Sequence, residues 1–322
     1  MSVPADIAAA ARVLRCGVLV AFPTETVYGL GADASNPAAV ARIYAAKGRP
    51  ASHPVIVHIA SAAEAPRWAS AFPRAAQRLA AEFWPGPLTL VLPRAAGVPD
   101  TVTGGQDTVA LRVPSHPVAL ALLSAFGGGI AAPSANRYGK VSPTRAEHVR
   151  AEFGAELDCV LEGGDCEVGL ESTIVSLVGG VPRLLRPGGI PRERIEAVIG
   201  ALAGSGADAP RVPGSVKSHY APAAALELVD ADELDARVRS VRSQERVGVL
   251  ARRAAPAGFE GRWLRMPSDP AGYGHDLYAA LRELDAGGAA RILAERVPPG
   301  PAWEAVQDRL VRAAAREAPE TT

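Results

Sequence analysis

Short apolar runs bounded by proline, glycine and small polar residues recur through the first part of the chain. Val18–Phe22, Pro54–Ile59, Leu88–Leu92, Thr108–Val113, Ile130–Ala132, Cys159–Leu161, Ser172–Val178 and Val181–Arg186 read as strands. Helical periodicity fills the gaps. It predicts a helix over Pro4–Arg15 stopped by Gly17, and one capped by Asn36 with Pro37 at its first position, running out at Lys47-Gly48. Ser61–Trp84 reads as helical in two pieces, opened by a Ser61/Glu64 capping box and interrupted by Pro66 and Pro73. Further helices are expected after Ser115 as cap, after Thr144, and from Pro191 to about Leu202. Pro23 ends the first strand, so Phe22–Gly31 reads as a polar loop in which Gly29 and Gly31 allow positive φ or close approach to a ligand. Strands and helices do not alternate strictly, which favours a twisted mixed sheet over a doubly wound one.

After Ala203–Pro213, which is small, polar and turn-rich, the pattern restarts. Ala225–Val229, Val247–Ala251, Trp263-Leu264 and Ala290–Ala294 read as strands, with helices from Asp230, over Asp269–Leu284 and over Ala302–Ala315. The expected fold class is therefore α/β: a twisted mixed-sheet domain over 1–202, a linker arm over 203–223, and a small Rossmann-like α/β domain over 224–322. That last domain has no GxGxxG, so it is not read as a nucleotide binder. The arm holds Pro213-Gly-Ser-Val-Lys-Ser-His-Tyr-Ala-Pro222, whose cation, histidine and tyrosine between prolines suit a tether that folds over a site.

Composition narrows the function classes. Lys+Arg and Asp+Glu are both 34, which argues against nonspecific nucleic-acid binding while leaving room for a local basic pocket. Cys16, Cys159 and Cys166 lack zinc-ligand spacing and fit a reduced, cytoplasmic interior. No basic segment followed by an apolar run is seen at the N-terminus, so no signal peptide is expected. No apolar stretch reaches the ~20 residues of a membrane span. Basic charge is carried almost wholly by arginine. Lys47, Lys140 and Lys217 are the exceptions, each in a Gly/Pro/Ser-rich loop. Coding bias explains that as readily as a need for a compact ammonium.

Several constellations carry candidate chemistry. Lys47 and Arg49 put two cations in a glycine-proline loop, as phosphate oxygens require, although such a pair alone is also an ordinary solvated loop. Pro133-Ser-Ala-Asn136, followed by Gly139-Lys140 and Ser142-Pro-Thr144, offers hydroxyls, amides and backbone N–H groups to phosphates, or a turn with a helix cap. GxxxxGK[ST] is absent, so the P-loop type is excluded. Arg112 lies mid-strand among apolar residues and needs an anion, either a structural carboxylate or a ligand's. Glu171-Ser-Thr-Ile-Val175 and Arg186-Pro-Gly-Gly189 place hydroxyls and an arginine at strand ends. His58 alone reads as a core histidine, and no HExxH or CxxC metal signature occurs.

Four separated pieces resemble, in order, the YrdC-like family of threonylcarbamoyl-AMP synthases: PTETVYGLGA with KGRP, ALRVPSHP with IAAPSAN, ESTIV with LLRPG, and HYAP. The tail LYAALRELDAGGAARILAERV resembles the second domain of the longer members. The resemblance implies synthesis of L-threonylcarbamoyl-AMP from L-threonine, bicarbonate and ATP with release of pyrophosphate. The product serves tRNA N6-threonylcarbamoyladenosine (t6A) modification. It further implies that Lys47, Arg49, Ser134 and Asn136 hold the triphosphate, that Thr26, His58, Arg112 and Ser172 surround threonine, and that Thr108, Ser142 and Arg186 help hold the nucleotide. Tyr220 would close the arm over it. Mg2+ is expected with ATP and no organic cofactor. The implied partners are the downstream threonylcarbamoyl-transfer proteins, with tRNA itself a further candidate and no membrane. Three departures stand out: His53 replaces the usual Asn before Pro54 at a nucleotide contact, Ser-Val-Lys-Ser precedes His219, and Tyr138 is bulky.

Two other readings compete. Carbamoyltransferases share the domain type, but carry zinc-finger, acylphosphatase or kinase-like domains that this chain lacks. An RNA-binding module is disfavoured by zero net charge and the absence of aromatic-basic interleaving.

Overall fold

A computed structural model of the chain describes residues 5–157, 159–204, 206, 208–214, 216, 218–241 and 246–315. Lys217 lies outside the described residues. The chain divides into two compact units, Met1–Tyr138 with Pro143–Ser215, and Gly139–Ser142 with Val216–Thr322. The division falls inside the Pro213–Pro222 arm, and the short Gly139–Ser142 segment belongs with the second unit.

In the first unit α1 (Ala5–Arg15) leads to β1 (Val20–Phe22) and β2 (Gly29–Asp33), then α2 (Pro37–Lys47) and β3 (Ile56–His58). Next come α3 (Arg74–Phe83), β4 (Leu88–Pro93), α4 (Asp100–Thr103), β5 (Thr108–Arg112), α5 (Pro117–Phe126) and β6 (Ile130–Ala131). Helix α6 (Ala146–Phe153), β7 (Thr173–Ser176), β8 (Arg183–Arg186) and α7 (Arg192–Ile199) complete it. The eight strands form one mixed sheet in the order β1-β2-β6-β3-β5-β4-β7-β8. Pairs β3/β5 and β4/β7 are parallel, the remainder antiparallel.

Alternation along the strands splits the sheet into two chemically different faces. Val57, Leu90, Leu92, Leu111, Val175 and Leu184 enter the main core with residues of α2, α3, α6 and α7. Burying each such leucine contributes about 1.5–3 kcal/mol. The opposite face carries Ile56, Val91, Ala110 and Ile174, covered by Val212. Beside them Ile130 packs with α1 and α5.

Local chemistry explains most boundaries. Asn36 caps α2 by accepting from Ala38 N and Ala39 N, and Gly48, at φ 63°, ends it. Helix α5 is capped by the His116 ring, which accepts from Val118 N, where Ser115 was expected. Ser61 makes no side-chain cap, and Ala62–Arg67, with Pro66 inside it, is only a 3₁₀ turn. Residues 159–161 make an isolated bridge from Val160 to Ala21 rather than a strand. Strand β2 is the larger surprise, since its stretch reads as loop. Its glycines are not at positive φ. A Cβ on Gly31 would come within 2.8 Å of both Ile130 and the Phe22 ring, so glycine here lets the strand pack tightly.

The second unit contains β9 (Ala225–Val229), α8 (Leu234–Ser240), β10 (Val247–Ala251), β11 (Arg262–Arg265), α9 (Pro270–Ala286), β12 (Arg291–Glu295) and α10 (Glu304–Ala314). Its sheet is parallel throughout, ordered β11-β10-β12-β9, so the unit's first strand lies at the edge beyond its last. Val229, Leu234, Val249, Ala251 and Leu293 form one core cluster, and Leu250, Leu277, Leu284 and Ile292 are also fully buried.

Candidate active site

Register places the polar residues of the first unit in a row. His58 on β3 pairs with Ile130 on one side and Arg112 on the other. Thr89 lies one residue beyond the Leu90–Leu111 pair of β4 and β5. It opposes Ile174, which in turn opposes Arg186 on β8. Laterally paired residues share a face, so His58, Arg112, Thr89 and Arg186 all project from the side opposite the main core. Thr108 shares that face four residues before Arg112, about 13 Å away at ~3.4 Å per residue.

At the centre of the row Arg112 is buried, and each of its three guanidinium nitrogens is held by one partner. Its Nη2 is 2.8 Å from Glu25 Oε1, with both side chains 4 % exposed. Its Nη1 donates to Thr26 Oγ1 at 2.8 Å and its Nε to the Gly86 carbonyl at 3.3 Å. Glu25 is fixed in turn, because its Oε2 accepts from Ser115 N at 3.1 Å. A guanidinium has five N–H donors, so one on each terminal nitrogen is left for a ligand. Thr24 and Thr26 hydroxyls lie 2.8 Å apart. Beside Arg112, burial first and the guanidinium second drive the His58 imidazole down to about 3, so it is neutral at physiological pH. Burial, then Glu25, pushes the Cys166 thiol up to about 12, which removes it as a nucleophile.

Further along the row Ser172 Oγ and Thr89 Oγ1 are 2.7 Å apart. Arg186 donates to the Ser172 carbonyl from Nε (3.1 Å) and Nη2 (2.9 Å), and to Ser172 Oγ at 3.1 Å. Its Nη1 donates to the Pro213 carbonyl at 2.9 Å, which ties the start of the arm to this unit.

A second group forms where β2 meets the Pro133–Asn136 loop. Leu30 N donates to Pro133 O and Ala135 N to Tyr28 O, both at 2.8 Å. The Lys47 ammonium, at the end of α2, donates to the Ser134 carbonyl at 2.6 Å and to the Asn136 carbonyl. Tyr138 N donates back to the Lys47 carbonyl at 2.8 Å. Lys47 is 3 % exposed and makes no ion pair among the described residues. Burial, and after it the Arg49 charge, lowers its pKa well below the ordinary value, with Glu152 opposing. Arg49 donates to the Pro54 carbonyl at 2.7 Å. His53 Nδ1 lies 3.2 Å from the Tyr138 hydroxyl, so two departures from the family pattern meet each other. Burial, Arg49 and Arg211 lower the His53 pKa.

Thus Lys47, Ser134 and Asn136 come together, Arg112, Thr26 and His58 come together, and Ser172 joins Arg186. Ser142 and Tyr220 belong to the second unit. Sequence reading missed Glu25, the one carboxylate inside PTETVYGLG, and Thr89, which nothing in an apolar strand distinguishes. Among the described residues no group of three His, Cys, Asp or Glu side chains could hold a metal ion. Among those residues, too, no helix is long and apolar enough to cross a membrane.

A family model described as telomere recombination matches residues 12–188, and one described as the threonylcarbamoyl-AMP synthase C-terminal domain matches residues 190–315. A threonylcarbamoyl-AMP synthase from Pyrococcus abyssi is 44 % identical, the match covering 94 % of this chain and 92 % of that one. Its Bacillus subtilis counterpart is 41 % identical over 96 % of this chain and 93 % of that one. The crystal structure of P. abyssi Sua5 complexed with L-threonine superposes with a TM-score of 0.89 at 42 % identity, covering 96 % and 94 % of the two chains.

Proposed function

The chain belongs to the two-domain threonylcarbamoyl-AMP synthase family, and from that premise we propose how its residues divide the reaction. It is an enzyme of the nucleotidyltransferase type that makes L-threonylcarbamoyl-AMP, the intermediate for t6A in tRNA. The substrates are L-threonine, bicarbonate and ATP. Threonine's amine forms a bond to the carbon of bicarbonate and water leaves, giving a carbamate. A carbamate oxygen forms a bond to the α-phosphorus as the bond to the β-phosphate breaks, and pyrophosphate leaves. No protein nucleophile is required.

Arg112, through its two remaining donors, takes the threonine carboxylate, while Glu25 and Thr26 hold the guanidinium in place. His58 and Ser172 line the same pocket, with His58 a neutral neighbour that adds no charge. Lys47 and Arg49, with the Ser134–Asn136 loop, take the triphosphate. Thr108, Arg186, His53, Ser142 and Tyr220 serve the rest of the nucleotide. Fixed cations placed where phosphate charge develops, together with positioning, supply the rate. Mg2+ would arrive on the phosphate oxygens with water, since no group of three His, Cys, Asp or Glu side chains among the described residues fits it. The reading places the enzyme in the cytoplasm, handing its product to threonylcarbamoyl-transfer proteins.

The observation that carries the assignment is the Lys47 ammonium, held by two carbonyls of the SxN loop. Two of its three N–H donors are committed, leaving the third and a net positive charge for a polyanion. The test is pyrophosphate release from ATP by the purified protein. Release that needs both L-threonine and bicarbonate, with L-serine much weaker, is expected. Release indifferent to threonine would contradict the assignment.

A further inference from the structure

We infer that α9 and α10 of the second unit moor both segments that carry Ser142 and Tyr220, with Arg309 the positioning residue for the Tyr220 ring. This rests on the reading that those two residues meet the nucleotide.

Tyr220 is the one non-glycine residue at positive φ among the described residues, at 61°. Such a backbone persists only when its surroundings over-determine it. Its ring is fixed by three neighbours. Tyr278 of α9 stacks on it at 5.6 Å between centroids and 30°. His219 meets it edge-on at 4.1 Å. The Arg309 guanidinium of α10 lies 5.1 Å from its centroid. Arg309 is wholly buried, with Nη1 donating to Asp308 Oδ2 at 2.8 Å. An arginine is almost never fully buried unless paired, and a guanidinium over a desolvated ring is attracted by its face.

The backbone around Tyr220 is held as firmly. Asp285 of α9 accepts from both Ala223 N (2.8 Å) and Ala224 N (3.0 Å). Arg312 of α10 donates to the Val216 carbonyl and accepts from His219 N at 3.3 Å. The second segment is tied to the first, since Ala221 N donates to the Gly139 carbonyl at 2.8 Å. Arg282 of α9 reaches the carbonyls of Val141 and Ser142. Gly139 lies three residues after Asn136 in the chain. One shell of helix residues, Arg282, Asp285, Arg309 and Arg312, therefore holds both segments. On this account α9 and α10 act on nucleotide binding only through Ser142 and Tyr220, without supplying a group that reacts.

The test uses the full-length chain and steady-state kinetics of Arg282→Gln, Asp285→Ala, Arg309→Lys and Tyr220→Ala. Lysine keeps the Arg309 charge but loses the planar stack. The expected result is a KM for ATP raised about tenfold, as loss of ~1.4 kcal/mol of binding gives, with calorimetric L-threonine affinity within about twofold. Adding Tyr220→Ala to Arg309→Lys should add little, because the two residues act as a unit. A purely structural role would leave KM for ATP in place, or make the two substitutions additive, and either result overturns the inference. If Arg309→Lys fails to fold, the half-buried Arg282 and Asp285 variants decide it. An unchanged KM for ATP in Tyr220→Ala removes the nucleotide reading of Tyr220 and the inference with it. A raised KM there, with the helix variants normal, removes the mooring alone.

Discussion

Lys47 and Arg112 are both buried cations in the first unit, and they are held in opposite ways. Arg112 has a carboxylate at 2.8 Å. Lys47 has only backbone carbonyls of the loop it serves. Dipoles stabilise an ammonium without cancelling its charge, whereas an ion pair cancels it. The difference suits the two ligands proposed for them. A triphosphate needs uncompensated positive charge, and threonine, a zwitterion, needs geometry. It also explains the residue types. Lysine's point charge sits among converging carbonyls, while arginine's fork spans Glu25, Thr26 and the Gly86 carbonyl at once.

The largest effect should come from Lys47→Ala, which removes the fixed cation proposed to face the phosphates. Turnover should fall by about 10²–10³ or more, with the circular dichroism spectrum retained. Full activity in that variant would remove the assigned role. Next comes Glu25→Ala, which leaves Arg112 buried beside an empty place and should cost about 3–5 kcal/mol in urea unfolding. Pairing Glu25→Gln with Arg112→Met should recover much of that stability without restoring threonine binding. An unchanged single-variant midpoint would mean that Arg112 is not held as described.

A smaller effect concerns pH. His58 titrates at 6.5 when unfolded and about 3 when folded, so the unfolded chain binds more protons between those values. Stability therefore rises with pH across that window and is lost as pH falls from 6.5 toward about 3, by up to about 1.4 kcal/mol per pH unit. His58→Gln should flatten that part of the profile. A slope unchanged by the substitution would count against a buried neutral imidazole. The smallest effect is expected for Tyr138→Phe, which removes the contact with His53. It should raise KM for ATP about two- to fivefold, for a hydrogen bond worth ~0.5–1 kcal/mol, and leave KM for L-threonine alone.

Elements with local signals were legible from the sequence, and those made by tertiary packing were not. Asn36, Pro37 and Gly48 mark α2 by capping chemistry that acts within one turn. Strand β2 has no such signal, because its glycines answer to Phe22 and Ile130, which lie elsewhere in the chain. Residues 159–161 have strand-like composition, yet their strand pairing is a single bridge to Ala21. At the site, Lys47 with Ser134 and Asn136 was foreseeable from motif resemblance. Arg112 needed an anion by its burial alone, but that Glu25 provides one is a fact of register and loop path. Thr89 became visible only when the sheet order set β4 between β5 and β7.

The division of labour between the two cations can be tested most directly by calorimetric titration of Lys47→Ala with L-threonine and, separately, with ATP. The account predicts L-threonine affinity within about twofold of the parent protein, since Arg112 keeps Glu25 and Thr26, and loss of ATP binding by at least about tenfold, the equivalent of ~1.4 kcal/mol. Retained ATP binding, or loss of both ligands in a folded variant, would contradict it.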